Sequence, residues 1–232
     1  MKTDTLLWLP TLLQTSDAFF PTGAYAHSLG FEEIVRLGVV KDQEDLRAYI
    51  QLQILPALLN QELPYLRFAF EQAAAGYLVQ LCELDVEISA WKLPAELCAA
   101  STQIGRRRLA ALRAVNDQKA YTEFAAAVQD GIARGHHLSV FALQAAVEGF
   151  PLQAALSAWF YQTLSGICGA ALKLIRIGQD GCQRIIRESL GSAEQVITAS
   201  LAIERESAGW FDPVLEIASM RHALADERLF IS

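Results

Sequence analysis

From Gly149 to Leu172 the chain carries no charged residue. A run of that length has two physical solutions: it crosses a bilayer, or it is a helix apolar enough to be buried inside a protein. Its content favours the second. Pro151 stands near the start, Gln153, Ser157, Gln162, Thr163 and Ser165 interrupt it, and alanine and glycine supply much of the rest. Insertion into lipid rewards leucine, isoleucine, valine and phenylalanine instead. The expectation is a buried central helix in a chain that has no membrane span.

The flanking sequence is helical in pattern nearly throughout. Asp42 is placed to cap a helix that carries Leu46, Tyr49, Ile50, Ile54, Ala57 and Leu58 at helical spacing, with a kink expected at Pro56. Leu63-Pro64 opens a run ended by Gly76, and Leu93-Pro94 opens another ended at Asn116-Asp117. Further helices are expected over about 120–134, 137–147, 151–177, 182–207 and 213–225, with Gly178 to Gly181 as a turn and Asp212 capping the last. Val86 to Trp91 is the nearest approach to a strand and reads better as helix. The fold class is all-α: one globular domain over residues 1–232, with about ten helices packed as a globule rather than as a simple four-helix bundle.

Composition narrows the function. The 232 residues are 53% apolar and only 19% charged, which excludes a disordered chain. The apolar share suggests that a partner covers part of the surface. A net charge of −7 argues against a general nucleic-acid binder. Cys82, Cys98, Cys168 and Cys182 lack the close spacing of a zinc site. Met1-Lys2-Thr3-Asp4 does not open a secretory leader, so reduced cysteines and a cytoplasmic location are expected.

No catalytic apparatus can be assembled. There is no phosphate loop, no GxGxxG opening, no HExxH and no nucleophile elbow. Glu204 and Glu206 lie two apart, off a shared helix face, and read as solvated. His136, His137 and His222 are the weak metal candidates, with a structural or interface role preferred for them. Arg106-Arg107-Arg108 reads as a basic patch, except that Arg108 falls on the apolar line between Ile104 and Ala111, where it would meet a buried carboxylate or a partner. Ser165 with Gly169, and Gly166 with Ala170, are small residues four apart. They suit tight packing against another helix, a homodimer helix pair, or the wall of a channel. Leu229-Phe230-Ile231 is unusually apolar for so late a segment and must dock on the domain or on another protein.

Three stretches resemble the urease accessory protein F family. The first runs from Ser16 to Glu32 and carries Pro21, Gly23, Tyr25, His27, Ser28 and Glu32. The second is Gly135-His136-His137, leading on to the segment from Ala170 to Gln179. The third is the segment from Pro213 to His222, followed by Arg228-Leu229-Phe230. Two positions depart from the family pattern: Ala223 replaces a usual glutamate, and Leu29 a usual small or polar residue. The resemblance implies a cytoplasmic, all-helical, non-catalytic chaperone that forms a homodimer and binds urease accessory protein D (also called H). Together they would recruit the GTPase accessory protein G, dock on apo-urease and assist nickel insertion. It implies no stably bound cofactor, nickel being handled by the complex, and neither nucleic acid nor membrane as a partner. Ser219, Met220, Arg221, His222, Arg228, Leu229 and Phe230 are then the expected partner-binding residues, in a tail from about residue 219 that is free until a partner orders it. A nickel carrier with a histidine site, and an all-α enzyme with an unrecognised pocket, are the competing readings.

Overall fold

The computed structural model describes residues 7–225 and 227–232; the Met1–Asp4 segment lies outside them. Among the described residues the secondary structure is helical, without a strand. The helices are α1 (Trp8–Ser16), α2 (Phe31–Arg36), α3 (Gln43–Tyr49), α4 (Leu55–Ala57), α5 (Leu63–Ala74), α6 (Leu78–Trp91) and α7 (Ala95–Val115). They continue with α8 (Lys119–Gln129), α9 (His137–Val147), α10 (Leu152–Leu174), α11 (Gln179–Leu190), α12 (Ala193–Ser200) and α13 (Pro213–His222). Asp42 and Asp212 cap as expected. Asp42 accepts from the N–H groups of Glu44 and Asp45 at 2.9 and 3.0 Å, and Asp212 from those of Val214 and Leu215 at 3.0 and 3.1 Å. Around Pro56 the helix widens instead of breaking: Ile50–Ile54 and Leu58–Glu62 are π-helical turns either side of α4. A wider turn accommodates the proline ring and the missing N–H. The Asn60 side chain donates to the Pro56 carbonyl at 2.9 Å.

The central helix is α9, not the uncharged α10. Every residue of α9 from Leu138 to Ala145 is buried, Ser139 and Gln144 included, and α5, α6, α7, α8 and α10 all pack on it. In α10 the buried residues Ala155, Leu156, Trp159, Phe160, Leu164, Cys168, Ala170 and Ala171 form one stripe. Gln153, Ser157, Tyr161, Gly166, Gly169 and Leu172 form an exposed, uncharged opposite face. Among the described residues nothing lies within 4 Å of where a Cβ would stand on Gly166 or Gly169. These small residues are therefore not a helix-packing seam within the chain. The expected single helix over 182–207 is α11 and α12, separated at Gly191-Ser192, and Gly178 to Gly181 is the N-terminal end of α11 rather than a free turn.

Two features fix the start of α9. Gly105 brings α7 against the Gly135–His137 backbone, where a Cβ on it would come within 2.2 Å of the Gly135 carbonyl oxygen. From α6, the fully buried Asp85 accepts the N–H groups of Arg134, Gly135 and His136 at 2.5, 2.8 and 2.8 Å. A carboxylate satisfying several orphan donors at a helix N-terminus is favoured both by hydrogen bonding and by the helix dipole.

Candidate partner-binding face and the C-terminal strap

The loop between α1 and α2 and the last residues of the chain form one structure. Gly23 (φ 74°) starts a short 3-10 turn over Ala24–Ala26, and Gly30 (φ 87°) leads into α2. Gly30 has a second reason to lack a side chain: a Cβ there would lie 2.3 Å from Ser219 Oγ and 2.9 Å from Leu215 Cδ1, so α13 could not approach α2. Leu29 has φ 53°, the left-handed region that a branched side chain occupies at a cost of about 1–2 kcal/mol. The strained backbone is held because the N–H groups of Ser28 and Leu29 both donate to the Ser232 main-chain oxygen, at 2.5 and 3.0 Å, while the Ser28 hydroxyl donates to it at 2.8 Å.

The tail is not free. Residues 229–232 lie across this loop as a strap whose alternate residues face in and out. Phe230 and Ser232 are buried, at 5% and 1% exposure, while Leu229 and Ile231 are exposed. The Ile231 N–H donates to the Ala26 carbonyl at 2.9 Å, and the Lys173 ammonium sits over the Phe230 ring at 4.9 Å. Ser219 and His222 are likewise buried, whereas Met220, Arg221 and Arg228 are exposed.

Glu32 is the hub. Its carboxylate accepts the N–H groups of Leu229 and Phe230 at 2.9 and 3.0 Å and meets His222 Nε2 at 3.1 Å. On the other side of the ring, His222 Nδ1 meets Glu96 of α7 at 2.9 Å, and Arg228 reaches the same carboxylate at 3.1 Å. A neutral imidazole can donate to one flanking carboxylate only; the protonated ring donates to both. Arg221 pairs with the buried Glu33 at 3.1 Å. Burial acts to raise the Glu32 pKa, but the hydrogen bonds from Leu229, His222 and Phe230 outweigh it and hold the group below its ordinary value of 4.5. A carboxylate depressed on folding contributes stability that is present above that ordinary value and is lost as pH falls through the folded one. Glu32→Gln should therefore flatten the acid limb of the stability curve. Melting temperatures of wild type and variant should diverge at neutral pH and converge toward pH 3, and parallel curves would refute the assignment. Glu87, held low by Arg205 and Tyr65 against its own burial, stays in both proteins and keeps a common acid slope.

The remaining sequence candidates are scattered. His136 is held between Ser89 (Nε2, 2.8 Å) and Ser101 (Nδ1, 3.0 Å), and burial lowers its pKa to about 4. His137 stacks on Trp159 with ring centroids 4.9 Å apart. His136 and His222 thus have both ring nitrogens engaged, and among the described residues no group of three or more His, Cys, Asp or Glu is placed to hold a metal ion. Arg108 is buried as its spacing suggested, but on an amide: its Nε and Nη2 donate to Gln144 Oε1 at 3.0 and 2.6 Å. Tyr25 is exposed in the loop, and Pro21 and Gly23 shape it. Ser165, Gly166, Gly169 and Ala170 line an open cavity between α10 and α1. Sequence reasoning missed Glu96, Glu33 and Asp85. Glu96 was visible only as an acid in the first turn of α7, and nothing local linked it to His222.

Among the described residues no helix is long and apolar enough to cross a membrane. The UreF family model matches residues 40–190. The chain is 32% identical over 226 residues to the urease accessory protein UreF of Arthrobacter sp. (strain FB24), covering 95% of this chain and 96% of that one. It is 33% identical over 226 residues, with the same coverage, to the urease accessory protein UreF of Paenarthrobacter aurescens (strain TC1). To that of Haemophilus influenzae (strain ATCC 51907) it is 30% identical over 224 residues, covering 97% and 95% of the two chains. With the family model spanning most of the chain and relatives matched nearly end to end, the chain belongs to the UreF family of urease accessory proteins.

Proposed function

We propose that the chain is a non-catalytic scaffold of urease maturation. In this reading it works as a cytoplasmic homodimer, binds accessory protein D (H), recruits the GTPase accessory protein G, and assists nickel delivery into apo-urease without holding nickel as a resident cofactor. The observation that carries the reading is the two-sided C-terminal strap. Its inner residues are consumed by the fold, while Met220, Leu224, Leu229 and Ile231 are left at 51%, 84%, 69% and 53% exposure. Large apolar side chains held exposed on an anchored backbone are costly to keep in water and are suited to a partner, because the ordering entropy is already met within the fold. Arg221, exposed beside them, adds a charged rim.

The test keeps the fold and changes the outer face. Leu229→Asp with Ile231→Asp should leave the melting temperature within about 4 °C of wild type, since exposed substitutions cost within about 0.5 kcal/mol each. It should abolish co-elution with co-expressed accessory protein D in size-exclusion chromatography. Undiminished co-elution by a folded double variant would overturn the assignment of this face.

A further inference from the structure

Five cations gather on and beside α7: Lys92, Arg106, Arg107, Arg113 and Arg134. The four arginines are exposed. Among the described residues none of the five lies within 4 Å of a carboxylate, whereas Arg47, Arg205 and Arg228 each do. Lys92, Arg106 and Arg134 stand close enough to His136 that their charge adds to burial in lowering its pKa, against the opposing effect of Asp85. Arg113 continues the series along α7, two turns beyond Arg106 on the same face. The chain as a whole carries −7, so this is a local excess of positive charge on an acidic protein.

Arg106 and Arg107 are not loose surface side chains. Arg106 reaches the loop between α8 and α9, where its Nε donates to the Arg134 carbonyl at 2.9 Å and a Cβ on Gly135 would come within 3.2 Å of its Cγ. Arg107 turns toward the loop between α1 and α2 and lies over Gly23, where a Cβ would collide with its Nη1. Each arginine is thus seated on a glycine of positive φ, 79° at Gly135 and 74° at Gly23. Both glycines stand in stretches that carry the family resemblance. Seating holds the two side chains in place and leaves their donors unused. Among the described residues neither Nη of Arg106 nor any guanidinium nitrogen of Arg107 or Arg134 donates a hydrogen bond. A guanidinium held in place loses less entropy on pairing, and its planar fork matches a carboxylate. Leu93 and Ile132, close in the chain to Lys92 and Arg134, are 56% and 59% exposed. Arginine beside exposed apolar side chains is a composition that protein interfaces favour.

We infer that the band running from Arg134 through Arg106 to Arg107 across α7 is a docking surface for an acidic segment of another protein, whose Asp and Glu carboxylates are received by the two seated arginines. Charge complementarity sets the chemistry of the partner: the fixed forks offer paired N–H donors, and carboxylates are the protein groups that accept them two at a time. A nucleic-acid strand would need a long basic track, whereas this band is short and belongs to a chain of net charge −7. The band also gives Gly23 and Gly135 a role beyond their own backbone conformation, because each clears the place in which an arginine lies. The inference rests on α7 and not on the outer face of the strap, so it does not depend on the partners proposed above.

Fluorescein-labelled deca-glutamate and deca-thymidylate are the probes, each titrated with the full chain by fluorescence anisotropy at low and moderate salt. Deca-glutamate should bind, weaken as salt rises, and bind more tightly than deca-thymidylate. Arg106→Gln with Arg107→Gln should weaken deca-glutamate by about fivefold or more. Arg184→Gln with Arg187→Gln removes the same charge from the exposed side of α11 and should change the affinity by less than about twofold. Because Arg106 also braces the loop between α8 and α9, Arg106→Lys with Arg107→Lys is the second variant. It keeps the charge and the apolar stems and removes the forks, so its affinity should fall between those of wild type and the glutamine variant. Equal losses in the α7 and α11 glutamine variants would show binding by net charge alone and overturn the surface. Wild-type affinity in a folded Arg106→Gln, Arg107→Gln protein, or deca-thymidylate bound as tightly as deca-glutamate, would each overturn it as well.

Discussion

A chain ending at Met220 melts at least about 10 °C below the full chain. The truncation removes Phe230, whose burial is worth about 1.5–3 kcal/mol, together with His222 and the two backbone N–H groups that Glu32 accepts. It strips Glu32 of these three hydrogen-bond partners, and bonds to a charged group contribute about 1.5–3 kcal/mol each. It also releases the Leu29 backbone from Ser232, so the left-handed conformation there loses its clamp. For a domain of this size each kcal/mol lowers the melting temperature by about 2–4 °C. Differential scanning calorimetry of the truncated protein decides the matter. A loss below about 4 °C would mean that the strap is an ornament on an independent domain, which is how the apolar tail reads in the sequence alone.

That contrast shows where sequence reasoning stops. Helix identity is local, and so it was legible: the caps at Asp42 and Asp212 and the bounds of α9 follow from side chains within a few positions of each end. The rank of each helix in the core is not local. The absence of charge in α10 looked like burial, yet one side of it is exposed, while α9, with Ser139, Gln144 and two histidines in or beside it, is the element on which α5, α6, α7, α8 and α10 pack. Polar residues can occupy a central helix when partners from elsewhere satisfy them, as Arg108, Thr15 and Glu148 satisfy Gln144. No periodicity records such partners.

The site divides in the same way. The residues of the N-terminal and C-terminal motifs were recognisable as sets, but the sequence could not show that they are one set. His222 needs Glu32 from α2 and Glu96 from α7, and the strap needs Ala26, Ser28 and Leu29. The in–out alternation of Leu229, Phe230, Ile231 and Ser232 is a period-two signal over four residues, too short to separate from a wholly apolar tail. Its consequence for function is substantial, because it splits the expected partner-binding residues. Ser219, His222 and Phe230 build the platform, while Met220, Arg221 and Leu229 are presented on it.

Asp85→Ala should be strongly destabilising. The carboxylate is fully buried and accepts three consecutive backbone N–H groups, from Arg134, Gly135 and His136, immediately before α9. His136 stands at the N-cap position of α9 with no side-chain cap of its own, and Gly105 packs α7 closely on this backbone. Each stranded buried donor costs about 1–3 kcal/mol, so the loss is about 3 kcal/mol at least and the melting temperature falls by roughly 6 °C or more. Asp85→Asn separates hydrogen bonding from mere space filling. Its single amide oxygen can serve some of the donors but not all three, so its loss should fall between those of wild type and alanine. Amide exchange should localise the effect, with protection lost first at residues 134–137 and the exchange of α12 unaffected. Because His137 opens α9 and both lines the cavity beside α10 and stacks on Trp159, the same substitution should shift its imidazole signals while leaving those of His222, held by Glu32 and Glu96, in place. Equal melting temperatures for alanine, asparagine and wild type, or exchange that rises uniformly over the chain, would show that α9 is fixed by its apolar contacts alone and that the Asp85 carboxylate only fills its site.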